Sequence, residues 1–169
     1  MTPRAELMAF WVEAEERVVT EVTRRLSASA LEHYRRPPLD LRPRIEALVA
    51  AYRAATAGDG GALDDFLADV GRKRLHQGYG LAELLALLDT LCDVAWEEAA
   101  AAFAPRGAAS FDDLRRLADV LKRGKSRLAL LYVAETAEER AALGHLSAAF
   151  SEFLKLRKTE RGGGENTVG

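Results

Sequence analysis

Cysteine is nearly absent from this chain of 169 residues: Cys92 stands alone, so no intramolecular disulfide can staple the fold. A single thiol on an apolar helical face fits a reducing compartment, and the expected location is the cytoplasm. Long apolar runs are missing as well. No stretch approaches the ~20 residues needed to span a bilayer, and Glu6, Glu13, Glu15, Glu16 and Arg17 interrupt any signal-peptide core at the N-terminus. No membrane association is expected. Nor is there an excess of charge of one sign: 24 basic and 26 acidic residues leave a net charge of -2, which removes the long-range field that nucleic acid or an anionic lipid surface would require. Period-two alternation between turn residues is also absent, which excludes a sheet-based fold.

What the chain has in quantity is apolar residues at three- and four-residue steps, within a hydrophobic content of 49%. That spacing is the signature of helices with one buried face. The expected fold is all-α, a multi-helix bundle of about six helices, with a globin-like arrangement as one form it can take. Thr2 and Pro3 open a first helix over 3–34, lined by Leu7, Trp11, Ala14, Val18, Val22 and Leu26 and stopped by Pro37 and Pro38. A second helix spans 41–56, a third 62–77 and a fourth 81–103, separated by Gly58–Gly61 and by Gly78 and Gly80. The fourth carries the clearest stripe, and Leu84, Leu85, Leu88, Leu91, Cys92 and Trp96 are expected in the core. After Pro105 and Gly107, Ser110 and Asp113 form a capping-box-like start for a fifth helix. Thr136 and Glu139 suggest a bend or short break near Glu135 before a sixth. One domain over 1–160 is expected, followed by a disordered glycine-rich tail over 161–169.

Catalytic and metal chemistry find little foothold. The residues three positions before His33, His76 and His145 are Ala30, Lys73 and Ala142, so the Glu-x-x-His pairs of a carboxylate-bridged metal site are missing. No two histidines stand four apart, as a helical zinc site needs. No metal and no cofactor are expected. Gly124-Lys125-Ser126 lacks the first glycine of a phosphate-binding loop, Asp119 standing in its place. His145 raises the alternative of a histidine-phosphotransfer bundle, but its neighbours Gly144, Leu146, Ser147 and Ala148 do not match a phosphoacceptor box. Acidic pairs such as Asp64-Asp65 and Asp112-Asp113 fall in first turns, where they complement the helix dipole. The expectation is therefore a protein that is not an enzyme.

The most distinctive stretch is Arg74-Leu75-His76-Gln77-Gly78-Tyr79-Gly80-Leu81-Ala82-Glu83-Leu84-Leu85. From about Leu67 to Trp96 the chain resembles the N-terminal domain family of RsbT co-antagonist (RsbRD-type) proteins, the helical input domain of bacterial stress-signalling proteins and sensor histidine kinases. In that family an arginine-rich helix end runs through Gln-Gly-Tyr into a second amphipathic helix. The resemblance implies a non-catalytic input or adaptor domain acting on a protein partner, a kinase or a STAS-type protein. No kinase or STAS-like output domain follows within the 169 residues, which leaves a stand-alone protein, an adaptor and an excised fragment all open. A rival reading takes His76, Gly80 and Leu81 as similar to the haem-proximal segment of globin-coupled sensors, making the chain a haem or small-ligand sensor with His76 as ligand. Against it, Arg72, Lys73, Arg74 and Gln77 give His76 polar surroundings that suit a helix C-terminus.

Leu143, Leu146, Phe150 and Phe153 form a heptad-like seam near the chain end. With Trp11 and Val18 of the first helix they make the expected homodimer surface; the competing account folds the seam back as core. The interaction surface expected overall comprises Arg74, His76, Tyr79, Leu143, Leu146, Phe150 and Phe153.

Overall fold

A computed structural model describes residues 3–31, 34, 41–106 and 111–162, with side chains left out at 3, 4, 106, 111 and 153–162. Its elements are α1 (Pro3–Ser27), α2 (Leu41–Thr56), α3 (Gly60–His76), α4 (Leu81–Phe103), a 3-10 turn (Ala104–Arg106) and α5 (Phe111–Gly162). Among the described residues there is no strand, and the all-α expectation holds. The chain divides into two compact units, Met1–Tyr132 and Val133–Gly169. The expected tail falls mostly on residues 163–169, outside the described residues.

In the first unit α1 packs on α2 and α4, and α2 packs on α3. The buried face of α1 runs Leu7, Phe10, Trp11, Ala14, Val18, Val22 and Leu26, a three-four spacing that sets one side of the helix against its neighbours. Trp11 stands at the centre of an aromatic group, 5.1 Å from Phe10 and edge-on to Tyr52 at 5.4 Å, with Phe103 closing the far side against Phe10 at 5.6 Å. The polar atoms of Trp11 and Tyr52 in this group are paired. The Trp11 indole N–H donates to Thr56 Oγ1 at 3.0 Å, Thr56 in turn donates to the Arg53 carbonyl, and the Tyr52 hydroxyl donates to the Leu117 carbonyl at 2.7 Å, tying α2 to α5. A buried donor without such a partner would cost more than the bond itself contributes.

Two glycines make close helix approach possible. A Cβ on Gly71 would lie 2.9 Å from Leu128 Cδ1 and 3.0 Å from Leu131 Cδ2, and one on Gly124 would lie 3.1 Å from Leu63 Cδ2. Side chains at these two positions would push α3 and α5 apart. Ion pairs between helices, Arg17–Glu98 and Arg25–Glu97 from α1 to α4 and Arg53–Glu15 from α2 to α1, lie at the surface, where each adds little.

The helix ends show which sequence signals were decisive. Both α2 and α3 finish in Schellman motifs. Gly58, at φ 112°, donates to Ala55 O while Asp59 N–H reaches Ala54 O; Gly78, at φ 87°, donates to Leu75 O while Tyr79 N–H reaches Arg74 O. Gly80 differs from expectation: its φ of -71° is open to any residue, and its role is to start α4, its N–H donating to Glu83 Oε2 at 3.1 Å. The first helix ends at Ser27, short of the expected 34, because Ser29 bonds back to the Leu26 carbonyl through both N–H and hydroxyl and closes the last turn. Pro37, Pro38, His33 and Ser110 lie outside the described residues.

Three further expectations are corrected. α5 is continuous through Glu135, with Thr136 donating its hydroxyl to Val133 O inside the helix instead of capping a new one. Trp96 is exposed, and Leu85 and Cys92 are only half-buried, while Leu84, Leu88 and Leu91 are core as expected. The buried line of α4 follows Leu84, Leu88, Leu91, Ala95 and Ala99, and at about 100° per residue the line through Leu85, Cys92 and Trp96 sits on its flank. Trp11 and Val18 are fully buried within the first unit, so α1 has neither to offer a second copy.

Candidate functional site

The α3–α4 corner lies beside an apolar cavity of about 260 Å³ walled by α2, α3, α4 and Leu128 of α5. Ile45, Leu48, Phe66, Val70, Leu88 and Leu128 make up much of its wall. Among the described residues the lining has four polar members, Tyr34, Tyr79, Arg44 and Arg74, and no carboxylate. Pro43 and Ala47 are exposed and both arginines are half-exposed, which marks the side on which the cavity opens.

The arginines are placed by helix periodicity. Arg44 follows Leu41 by three and precedes Leu48 by four, on the inward edge of α2; Arg74 follows Val70 by four and Gly71 by three on α3. The Schellman turn then brings Tyr79 back under Arg74, whose guanidinium carbon stands 5.6 Å from the ring centroid. Tyr79 packs edge-on to Tyr34 at 5.8 Å, and the Tyr34 hydroxyl donates to the Glu83 carbonyl at 3.2 Å. Arg74 Nη1 donates to Gln77 Oε1 at 2.5 Å. Arg44 has no hydrogen bond or ion pair among the described residues.

Electrostatics follow from this setting. Burial first, and then repulsion from Arg44, lowers the Arg74 guanidinium from its ordinary value. Burial, with the neighbouring Tyr79 and Glu83, pushes the Tyr34 phenol up, so it stays a neutral donor. Elsewhere, burial and Asp93 push the Cys92 thiol up, the reverse of what an activated nucleophile needs. At the start of α5 the Asp113 carboxyl is raised by burial and by Glu6, and its Oδ2 has no hydrogen-bond partner among the described residues.

Of the residues expected at a site, the structure brings Arg74 and Tyr79 together at the cavity. His76 is exposed at the end of α3 and is not part of the cavity wall, so it does not present its imidazole to that space as a haem ligand would have to. Among the described residues no group of histidine, cysteine and acidic side chains is arranged to hold a metal ion. Leu143, Leu146 and Phe150 belong to the second unit and are 65%, 67% and 63% exposed; the side chain of Phe153 is not among those described. His145 is exposed on the same stretch. Sequence reasoning missed Tyr34 and Arg44. The signal for Arg44 was present, an arginine on the apolar stripe of α2 in the same relation that Arg74 has to α3.

Taken together, these features define an all-helical bundle domain built around a tight Gly-Tyr-Gly corner, with no assembled catalytic group among the described residues. The chain belongs to the RsbT co-antagonist protein RsbRD N-terminal domain family, whose model matches residues 13–149. That match reaches well beyond the corner, through all of α2, α3 and α4 and most of α1. No curated protein and no solved structure matches the chain. Among the described residues no helix is long and apolar enough to cross a membrane.

Proposed function

We propose that this chain is a non-catalytic input domain of bacterial stress signalling that works through protein–protein contact, and that it self-associates through the second half of α5. Membership of the RsbRD N-terminal domain family is the observation that carries the first part, since the family is one of regulatory input domains. A kinase or a STAS-type protein is the partner class this implies.

Self-association rests on the seam. Leu143, Leu146 and Phe150 recur at steps of three and four, and exposing such a row to water costs about 25 cal/mol per Å² of apolar surface that a partner could bury. A second copy is the occupant the sequence favours. In an antiparallel pair with its two-fold axis at Ala148, Leu146 faces Phe150 and Leu143 faces position 153. The same register sets acidic Glu138 and Glu139 opposite basic Lys158 and Arg157 of the other copy. Parallel pairing sets each of these charges beside its own like.

The test is made in the cell. In a strain lacking this chain, stress-regulon induction should change, wild-type protein should restore it, and Phe150→Glu at equal abundance should not. An unchanged stress response on deletion overturns the signalling role, and full rescue by Phe150→Glu overturns the role of the seam.

A further inference from the structure

The cavity at the α3–α4 corner has a composition that a merely imperfect core would not require. A packing defect is walled by apolar side chains alone and gains nothing from placing two cations at its edge. Here Arg44 and Arg74 stand at the opening, Arg44 close enough to disfavour the charge on Arg74, and among the described residues no carboxylate lines the cavity to balance them. Two like charges at the rim of a low-dielectric space are costly until an anion arrives. Tyr34 keeps its proton, and Tyr79 is held below the Arg74 guanidinium, so the polar rim is fixed before any ligand binds.

We propose that this cavity binds a medium-chain fatty carboxylate, its headgroup held by Arg44 and Arg74 and its tail lying among Phe66, Val70 and Leu88. Size permits such a tail: a cavity of about 260 Å³ has far more room than a single trapped water needs. Planar guanidinium groups suit a carboxylate because parallel N–H donors meet its two oxygens. A neutral or cationic headgroup leaves the arginines unbalanced. The inference deepens the input-domain reading by naming a ligand class, and it stands on the cavity alone: binding can be measured whether or not the chain signals in a cell.

The experiment is titration calorimetry of the full chain with decanoate, decanol and decyltrimethylammonium, each below its micelle concentration, backed by thermal shift. Decanoate should bind and raise the unfolding midpoint, decanol should bind about tenfold or more weakly, and the ammonium compound more weakly still. In the double variant Arg44→Gln, Arg74→Gln, decanoate should fall to the affinity of decanol while decanol is unchanged. Val70→Trp, which fills the cavity, should abolish both. Equal binding of decanoate and decanol to the wild-type protein overturns the headgroup assignment without needing any variant to fold. Binding that survives Val70→Trp in a protein of wild-type circular dichroism places the ligand elsewhere, and absence of any decanoate binding ends the proposal.

Discussion

The Trp11–Thr56 hydrogen bond offers a perturbation whose cost can be worked through atom by atom. Thr56 is fully buried at the end of α2, and its hydroxyl both accepts from the Trp11 indole at 3.0 Å and donates to Arg53 O at 2.8 Å. Thr56→Val keeps the β-branched shape and removes only the polar atom. The Arg53 carbonyl loses little, because Ala57 N–H still reaches it at 2.9 Å. The indole N–H, in contrast, is left buried without an acceptor, which costs about 1–3 kcal/mol. In a Trp11→Phe background that donor no longer exists, so the same Thr56→Val change should be nearly neutral. The difference between the two backgrounds is the coupling energy, expected at about 1–2 kcal/mol. Urea unfolding of the four proteins, followed by far-ultraviolet circular dichroism so that loss of the indole does not disturb the signal, measures it. An equal cost of Thr56→Val in both backgrounds would refute the reasoning, since the loss would then owe nothing to the indole.

The other expectations are simpler. Leu88→Ala, at a fully buried position of α4, should cost about 2–5 kcal/mol, while Trp96→Ala, on the exposed flank of the same helix, should cost clearly less in the same urea series. Gly144→Ala, with open space around it, should gain about 1 kcal/mol of helix propensity, whereas the gain at Gly71→Ala should be lost to overpacking against Leu128 and Leu131. An equal gain at both sites in urea or thermal unfolding would show that α3 and α5 are not closely packed at Gly71. Arg24 first, and then Arg25, hold the Glu21 carboxyl down at about 2 from a usual 4.5. Its contribution should be fully present above pH 4.5 and disappear as the pH falls toward about 2, so Glu21→Gln should flatten the acid side of the stability profile and leave the midpoint at pH 7 to 9 parallel to wild type.

Much of the bundle was legible because helix physics is local. The bounds of α2 and α4 follow directly from the apolar period and its flanking glycine and proline, and the two Schellman turns follow from Gly58 and Gly78, the two positive-φ glycines. Where expectation failed, competing interactions lay outside the period. Ser29 closes α1 by a side-chain bond that its residue type permits but does not require. Thr136 and Glu139 have the spacing of a capping box, yet without glycine or proline beside them the helix simply continues. Trp96 shows that a wide apolar arc does not say which part of it is covered; that depends on the neighbouring helices. The cavity was half legible. Arg74 and Tyr79 stood out in a distinctive stretch, but Tyr34 and Arg44 reach the same space from segments separated by tens of residues, and only the fold unites them.

Self-association through the α5 seam is the claim on which the proposed mode of signalling depends most, and sedimentation equilibrium of the full chain addresses it directly. Wild-type protein should have the mass of a dimer at micromolar concentration, and Phe150→Glu should sediment as a folded monomer with an unchanged circular dichroism spectrum. A wild-type chain that stays monomeric up to high micromolar concentration, or a Phe150→Glu variant that remains dimeric, would contradict it.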